Sequence, residues 1–443
     1  MTEYLESRRE FLLQALAIGV AAALPAACGT GSQLGPSDSG LSGSELRAVW
    51  LSLSSPRDLF CEDDRPGGTP SAAGVRRVVE LVADGGFNSI FLMVDTWYAH
   101  SVLHPEYLPR NPLAAFDAIG ELLAVARERK LQVHLAFGIV NKRNNPRPPG
   151  IAPDFVTAAG GSPLWRARYA NDDGTTTDSA DNVCLVRAAT RQWQAQLAVG
   201  LLARYRDVDC FQLEEAGYDT ARFCVCDECR RVFQARFGAE LVRQVLLEAA
   251  ADTCVTGSCE GPAAQFKSEH TSSTIEAIRG RVASRQLTWS ATVSPDWRAD
   301  QRLGRDWKRW TDAGWLSFVA PMIYVPQTDA FRQALEQKLL PQLDSGCKVC
   351  PGIGVHYAGF LDPLPSQPRP RLNPVEEVVR QIEASREIRR QDGRVCGAAL
   401  FVGQLLRPAD RQLGMVYLRA LRGGPFSLSA SPPRWSPYRA WTP

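Results

Sequence analysis

The chain has 443 residues, of which 45% are hydrophobic, 22% charged and 9% aromatic. This composition is typical of a packed globular protein and excludes a disordered or fibrous chain. Lys and Arg total 50 and Asp and Glu total 48, so the formal net charge is only +2. No basic run is long enough to follow a phosphate backbone, which argues against nucleic acid as a partner.

The first 28 residues have the pattern of a twin-arginine export signal that ends in a lipid attachment site. Arg8 and Arg9 precede an apolar stretch over residues 11–27, which is shorter than the roughly 20 apolar residues that a membrane-spanning helix needs. Residues 24–28, LPAAC, resemble the lipobox of bacterial lipoproteins, in which the cysteine is lipidated. We therefore expect an exported protein of the cell envelope that is anchored to the membrane through Cys28. The alternative is an ordinary cleaved signal, with Cys28 lost or inert.

The signal is followed by a stretch rich in Gly and Ser over residues 29–45, which is predicted to be a flexible tether. The folded part is predicted over residues 46–425, and a C-terminal tail over residues 426–443. A chain of this length can hold two or three domains. The strand pattern nevertheless favours one large domain.

Short runs of apolar, β-branched or aromatic residues alternate with amphipathic or loop segments along the folded part. This alternation is typical of an α/β fold of the (β/α)8 TIM barrel type. Because such a barrel needs about 250 residues, the surplus is expected in long βα-loop insertions, mostly at 141–189 and 241–281. A doubly wound open sheet is the alternative, but no Gly-rich phosphate turn follows the first strand. The eight predicted strands are residues 46–53, 87–95, 131–140, 210–215, 287–294, 318–325, 349–356 and 398–404.

Several strand motifs resemble those of the family 10-like glycosyl hydrolases, a group of bacterial envelope barrels. Residues 46–51 (LRAVWL) resemble that family's first strand, residues 87–95 its second and residues 133–137 (VHLAF) its third. Residues 306–310 (DWKRW) and 320–324 (APMIY) resemble its sixth-strand region. The similarity runs over most of residues 46–406 and implies a glycoside hydrolase on a (β/α)8 barrel.

The fourth predicted strand departs from that family and is similar to the family 42 β-galactosidase-type barrels. It reads FQLEEAGY over residues 211–218 and is followed by a cysteine cluster. Members of that group place an acid/base glutamate at the end of this strand, and the resemblance assigns the role to Glu215. Since neighbouring strand residues point to opposite sides, only one of Glu214 and Glu215 should face the central cleft. The alternative is that both glutamates pair with arginines at the barrel rim.

Glycosidic bond cleavage usually needs a second carboxylate, which attacks the anomeric carbon or activates water. The best placed candidates are Asp95, at the end of the second strand, and Asp296, after the fifth. The seventh strand carries no acid where retaining barrel enzymes usually keep their nucleophile.

Aromatic residues and histidines at strand ends or in the following loops are candidates for sugar binding. Aromatic faces stack on sugar rings, although core packing explains any single one equally well. A lone strand histidine is also often a structural residue. The candidates are Trp50, Trp97, Tyr98, His134, Trp297, Tyr324, His356 and Tyr357.

Cys224, Cys226 and Cys229 form a C-x-C-x-x-C motif, whose compact spacing lets three thiolates converge on one metal ion. The resemblance to the family 42-type barrels supplies Cys184, in the third loop, as a fourth ligand. Four thiolates leave no open position, so the predicted ion is a structural zinc. Disulfide pairing in the oxidising envelope is the alternative. No organic cofactor is expected.

Two functions follow from these observations. The first is a membrane-anchored glycoside hydrolase that cleaves O-glycosidic bonds of a cell-envelope or extracellular polysaccharide by carboxylate acid/base catalysis. The second is a non-catalytic carbohydrate-binding lipoprotein on a degenerate hydrolase barrel, which the missing seventh-strand acid would suit. A catalytic metal site would need histidine and carboxylate ligands at a spacing that the five histidines do not have.

Overall fold

The computed structural model describes residues 44–53, 57–61, 68–105, 111–140, 165–250, 261–283, 285, 287–343, 346–355, 372–401, 403–406 and 410–434. The export signal, Cys28 and the tether up to residue 43 lie outside the described residues. So do His356 and Tyr357.

The described strands include a closed barrel of eight strands, all paired in parallel. Six barrel strands lie entirely within the predicted runs, and the seventh and eighth each begin one residue before theirs. This agreement confirms the predicted (β/α)8 fold. The seventh strand is split in two, because Pro351 lacks the N–H group that a continuous ladder needs. The barrel strands are Leu46–Ser52, Ser89–Val94, Gln132–Phe137, Cys210–Leu213, Thr288–Val293, Phe318–Ile323, Lys348–Val349 with Gly352–Gly354, and Gly397–Phe401.

Side chains on these strands alternate between the barrel lumen and the surrounding helices. On the first strand, Ala48 and Trp50 join an inner apolar cluster, whereas Val49 and Leu51 pack in an outer cluster with helix residues. On the fourth strand, Cys210 belongs to the inner cluster and Phe211 and Leu213 to the outer one. Parity along a strand therefore shows which side chains point into the lumen.

Helices cover the outside of the barrel, and the amphipathic pattern of the sequence agrees with two of them, Ala72–Asp84 and Ala118–Glu128. The first helix begins after Ser71, whose side chain accepts a hydrogen bond from the Gly74 N–H, and buries its valines against the barrel. The described α-helices are Ala72–Asp84, Thr96–Leu103, Ala118–Glu128, Ala188–Arg204, Asp227–Phe237, Leu241–Ala250, Pro262–Val282, Trp297–Arg302, Trp307–Asp312, Thr328–Arg332 (which continues as a π-helix over Gln333–Leu339), Val375–Gln391 and Arg411–Gly423.

The two predicted loop insertions contain regular structure that the sequence pattern did not predict. In the first, Arg166–Ala170 and Thr176–Val183 form an antiparallel hairpin. In the second, the helices Leu241–Ala250 and Pro262–Val282 flank residues outside the described part of the chain. The hairpin leads directly into Cys184 and therefore positions one member of the cysteine cluster.

The described ends of the folded part pack together at the amino-terminal end of the first strand. Glu45 is buried and pairs with Arg47 at 2.7 Å and Arg386 at 2.8 Å. Arg47 also donates a hydrogen bond to the Leu428 carbonyl at 2.6 Å, and Phe426 packs on Phe87. The first described residues of the predicted tail are thus part of the packed structure.

Among the described residues, we find no helix with both the length and the apolar character required to span a bilayer.

Candidate active site

Two adjacent glutamates lie at the carboxyl end of the fourth strand, the end at which barrel enzymes keep their sites. Glu214 continues the ladder, because its N–H donates a hydrogen bond to the Phe137 carbonyl at 3.1 Å. It has the same parity as Cys210 and Gln212, so its buried side chain lies on the lumen side.

Glu215 is half-buried and takes a left-handed backbone conformation, with φ of 40°. Its N–H donates a hydrogen bond to Thr292 Oγ1 at 2.7 Å, and its carbonyl accepts one from the Gly217 N–H at 2.6 Å. Left-handed φ is uncommon in residues other than glycine and occurs where the surrounding structure fixes it. The chain therefore turns sharply at Glu215 and breaks the alternation of the strand, and both contacts fix this turn.

The loop after Glu215 is held against the loop that follows the fifth strand. Asp300 and Arg305 form a buried ion pair at 3.3 Å, and Arg305 also donates to the Tyr218 carbonyl at 3.5 Å. The Tyr218 N–H donates to the Leu303 carbonyl at 2.7 Å. Burial raises the pKa of Asp300 to about 6, although Arg305 opposes that shift. These contacts fix the backbone that carries the two glutamates.

Gly217 lies under the Arg305 side chain, so we expect Gly217→Ala to destabilise the protein by about 1–3 kcal/mol. A Cβ on Gly217 would lie 2.3 Å from Arg305 Cγ and 2.7 Å from the Leu303 carbonyl oxygen. Urea unfolding of the two proteins measures the difference. Gly280→Ala is the matched control, because that exposed helical position has open space around it and should be neutral or stabilised. Equal stability of Gly217→Ala and the wild type would contradict the close packing of Gly217 against Arg305.

The two aspartates that were candidates for the second carboxylate both cap helices. The buried Asp95 accepts a hydrogen bond from the Tyr98 N–H at 2.6 Å. Asp296 is exposed and accepts one from the Arg298 N–H at 3.0 Å. An aspartate before a helix is a common N-cap, so each residue has a structural role in addition to any chemical one.

Three aromatic side chains meet in the lumen near the mouth of the barrel. Tyr324 stacks on Phe401 with ring centroids 5.5 Å apart, and Trp50 contacts both rings edge-on. Tyr324 is half-buried, whereas Trp50 and Phe401 are buried. Phe401 was not among the sequence candidates, although its place at the end of the eighth strand could have suggested it.

The other described aromatic candidates lie away from the lumen or in contact with neighbouring loops. Tyr98 is fully buried, and its hydroxyl accepts a hydrogen bond from the Ile119 N–H at 3.1 Å, so it packs in the helical layer. Burial raises its pKa. Trp97 is also buried. Trp297 is half-buried and donates from Nε1 to Asp306 at 2.9 Å.

His134 lies deeper in the barrel than the strand ends. Its ring is fully buried and contacts Phe91 and Phe318, with centroids 4.7 Å and 5.7 Å away. Burial lowers its pKa to about 3, so the imidazole is neutral.

The four predicted metal ligands come together in one buried cluster. The Sγ atoms of Cys184, Cys224, Cys226 and Cys229 all lie within 4.8 Å of one another, and three of the pairs are 3.5 Å apart. Tetrahedral thiolates at about 2.3 Å from a zinc ion would be roughly 3.8 Å apart. Hydrogen bonds from neighbouring thiols lower the pKa of Cys226, whereas burial raises the pKa of Cys224 and Cys229. The cluster could hold a metal ion.

Comparisons with known proteins agree with this architecture. The PgaB (BpsB) glycoside hydrolase domain from Bordetella bronchiseptica matches with a TM-score of 0.54 at 12% identity, over 85% of this chain and 98% of that one. Alpha-L-fucosidase isoenzyme 2 from Paenibacillus thiaminolyticus matches with a TM-score of 0.49 at 13% identity, over 85% of this chain and 49% of that one. Beta-galactosidase from the psychrophilic Marinomonas ef1 gives 0.47 at 11% identity, over 80% and 54%.

These structural neighbours are glycoside hydrolases on TIM barrels, and the match with the PgaB domain confirms the type of barrel expected from the sequence. They do not single out the family 10-like group. No family model and no curated protein matches the chain.

Proposed function

We propose that this chain is a glycoside hydrolase that cleaves O-glycosidic bonds of a cell-envelope or extracellular polysaccharide. The observation that carries the proposal is the pair Glu214 and Glu215 at the carboxyl end of the fourth strand, on a loop fixed by Arg305 and Thr292. Tyr324, beside Trp50 and Phe401, supplies an aromatic surface at the same mouth. The similarity to glycoside hydrolase barrels supports this choice over other functions of the same fold.

In the proposed mechanism, Glu215 protonates the leaving oxygen as the glycosidic bond breaks. Its partial exposure lets it reach a bound glycan, and its fixed backbone holds the carboxyl group in place. A second carboxylate either attacks the anomeric carbon or activates the water that does so, and water supplies the new oxygen of the product. Asp95 is the better candidate, because it is buried at the end of the second strand, whereas Asp296 is exposed beside its own helix. The test is release of reducing ends from isolated cell-wall and extracellular polysaccharides by the wild type and by Glu215→Gln.

A carbohydrate-binding protein without catalysis is the second candidate. The described part of the seventh strand, Lys348–Val355, carries no carboxylate, and retaining barrel enzymes usually keep a nucleophile there. Binding of a glycan without release of any reducing end by the wild type would favour this function.

The cysteine cluster is proposed to hold one structural zinc ion. When bound, the ion would be closed to substrate by four thiolates and would stabilise local structure. Cys184 lies next to the hairpin and Cys226 precedes the helix Asp227–Phe237. A metal ion held by the four residues would therefore join the third loop to the fourth, close to the glutamates.

Export and anchoring are proposed from the N-terminal sequence. Replacing Arg8 and Arg9 by lysine should retain the protein in the cytosol, because the paired arginines form the recognised part of the signal. Fractionation of the producing cells, followed by immunoblotting, measures the distribution. Cys28→Ala is the companion variant, which should be exported without a lipid. Undiminished export of the lysine variant would contradict the assigned route, and a mature N-terminus other than Cys28 would contradict the anchor.

A further inference from the structure

The amino-terminal face of the barrel, the end opposite the two glutamates, carries basic side chains that have no acidic partner in the described structure. In this fold each helix returns to the face at which the next strand begins. Lys130 comes just after one such helix, and Arg390 and Arg422 lie in the last turns of two others. All three are exposed, and none forms an ion pair with a carboxylate of the described residues.

Nearby carboxylates already have basic partners. Asp84 pairs with Arg129, and Asp392 pairs with Arg394 at 2.6 Å. Glu45 binds two arginines. Because the whole chain has a net charge of only +2, the positive charge here is a local excess. Basic residues in a last helical turn also complement the helix dipole, so the charge alone does not identify a partner.

The chain enters its folded part at the same face. Arg389, next to Arg390, donates a hydrogen bond to the Ser44 carbonyl at 2.7 Å, and Ser44 is the first described residue. The proposed lipid attachment site, Cys28, precedes Ser44 by sixteen residues, a length of chain that reaches about 50 Å at most. The shortest path from an anchored Cys28 to the fold therefore leads to this face.

An exposed leucine lies on the segment that crosses this face. Leu428 is 57% exposed, and its carbonyl accepts a hydrogen bond from Arg47 of the first strand at 2.6 Å. Arg422 donates to the Phe426 carbonyl of the same segment at 3.1 Å. An apolar side chain among cations is typical of surfaces that bind anionic membranes, where the apolar group enters the headgroup boundary and the cations meet lipid phosphates.

We propose that the amino-terminal face of the barrel docks on an anionic lipid bilayer, with Lys130, Arg390 and Arg422 at lipid phosphates and Leu428 in the headgroup region. Docking in this orientation turns the mouth of the barrel away from the membrane, toward polymers of the envelope. The inference goes beyond the proposed function and does not require that the chain cleaves a glycan.

Sedimentation with lipid vesicles tests the inference. The chain from residue 29 onward contains every described residue and carries neither the apolar segment nor Cys28, so binding reports the folded part. We expect it to bind vesicles of phosphatidylglycerol and phosphatidylcholine in equal parts, and not vesicles of phosphatidylcholine alone. Added salt should weaken the binding, because it screens exposed charges.

Lys130→Gln combined with Arg390→Gln should weaken binding to the phosphatidylglycerol vesicles about fivefold for each charge removed. The matched control combines Arg243→Gln with Arg298→Gln, which removes the same charge from exposed residues of helices that follow the fourth and fifth strands. This control should bind like the wild type. Leu428→Ser keeps every charge and should also weaken binding. Thermal unfolding checks that each variant is folded.

Four outcomes would overturn the inference. These are no binding to the phosphatidylglycerol vesicles, equal binding to both kinds of vesicle, unchanged affinity of the folded Lys130 and Arg390 variant, and an equal loss in the control. Tighter binding of a DNA duplex than of the vesicles at the same salt would assign the face to nucleic acid instead. Glycan cleavage is measured separately, so the hydrolase proposal can stand or fall independently of these results.

Discussion

Replacing Glu215 by Gln should lower the rate of glycan hydrolysis about 10²–10⁴-fold, the usual contribution of a general acid. The amide keeps the size of the side chain but cannot donate the proton that the leaving oxygen needs. The turn should survive, because Thr292 and Gly217 bind the backbone of Glu215 rather than its carboxyl group. Glycan affinity should therefore change little. Reducing ends released from isolated cell-wall material measure the rate, and titration with the cleaved glycan measures affinity.

Glu214→Gln is the matched control, since it makes the same change one residue earlier on the lumen side of the strand. A large loss of rate in Glu214→Gln with near-full activity in Glu215→Gln would reverse the assignment of the proton donor. Full activity of both variants on a cleaved glycan would show that neither glutamate is needed for catalysis.

The barrel could be predicted because its strands are buried on both sides and leave a clear pattern. Phe318–Ile323 is a continuous run of buried or half-buried apolar residues, as expected for a parallel strand covered by helices. The strand Thr176–Val183, TTDSADNV, has no such pattern. Its pairing with Arg166–Ala170 depends on backbone hydrogen bonds and on contacts of the hairpin with the rest of the fold, which periodicity does not reveal.

The candidate site was accessible to sequence reasoning only in part. The alternation of Cys210, Gln212 and Glu214 was visible in the sequence, and it could have indicated Gln212 as a lumen residue. The turn at Glu215, which ends that alternation, was not visible, because it depends on Thr292 from another strand. The same holds for Arg305, which pairs with Asp300 of its own loop and donates to the Tyr218 carbonyl of the loop after Glu215. The role of an aspartate such as Asp296 cannot be read from the sequence, because both helix N-caps and catalytic acids are often aspartates.

The protein should contain one zinc ion per chain, and Cys226→Ser should remove it. Four-thiolate zinc binding contributes on the order of 10 kcal/mol at neutral pH, so we expect loss of the ion to lower the stability by several kcal/mol. The loss of stability should be concentrated in the hairpin and in the loop after the fourth strand, because the cluster joins these two segments. Elemental analysis gives the metal content, and limited proteolysis with urea unfolding locates and measures the loss.

Cys210→Ser is the control for the loss of a buried thiol, because Cys210 lies in the lumen next to Ser290, outside the cluster. It should keep the zinc ion, whereas Cys226→Ser should not. The disulfide alternative instead predicts oxidised cysteines that hold no metal. A disulfide needs its sulfur atoms about 2.05 Å apart, whereas three pairs of sulfur atoms in the cluster are 3.5 Å apart. Purified protein without metal, in which these cysteines resist alkylation until a reductant is added, would decide for disulfides and against the zinc site.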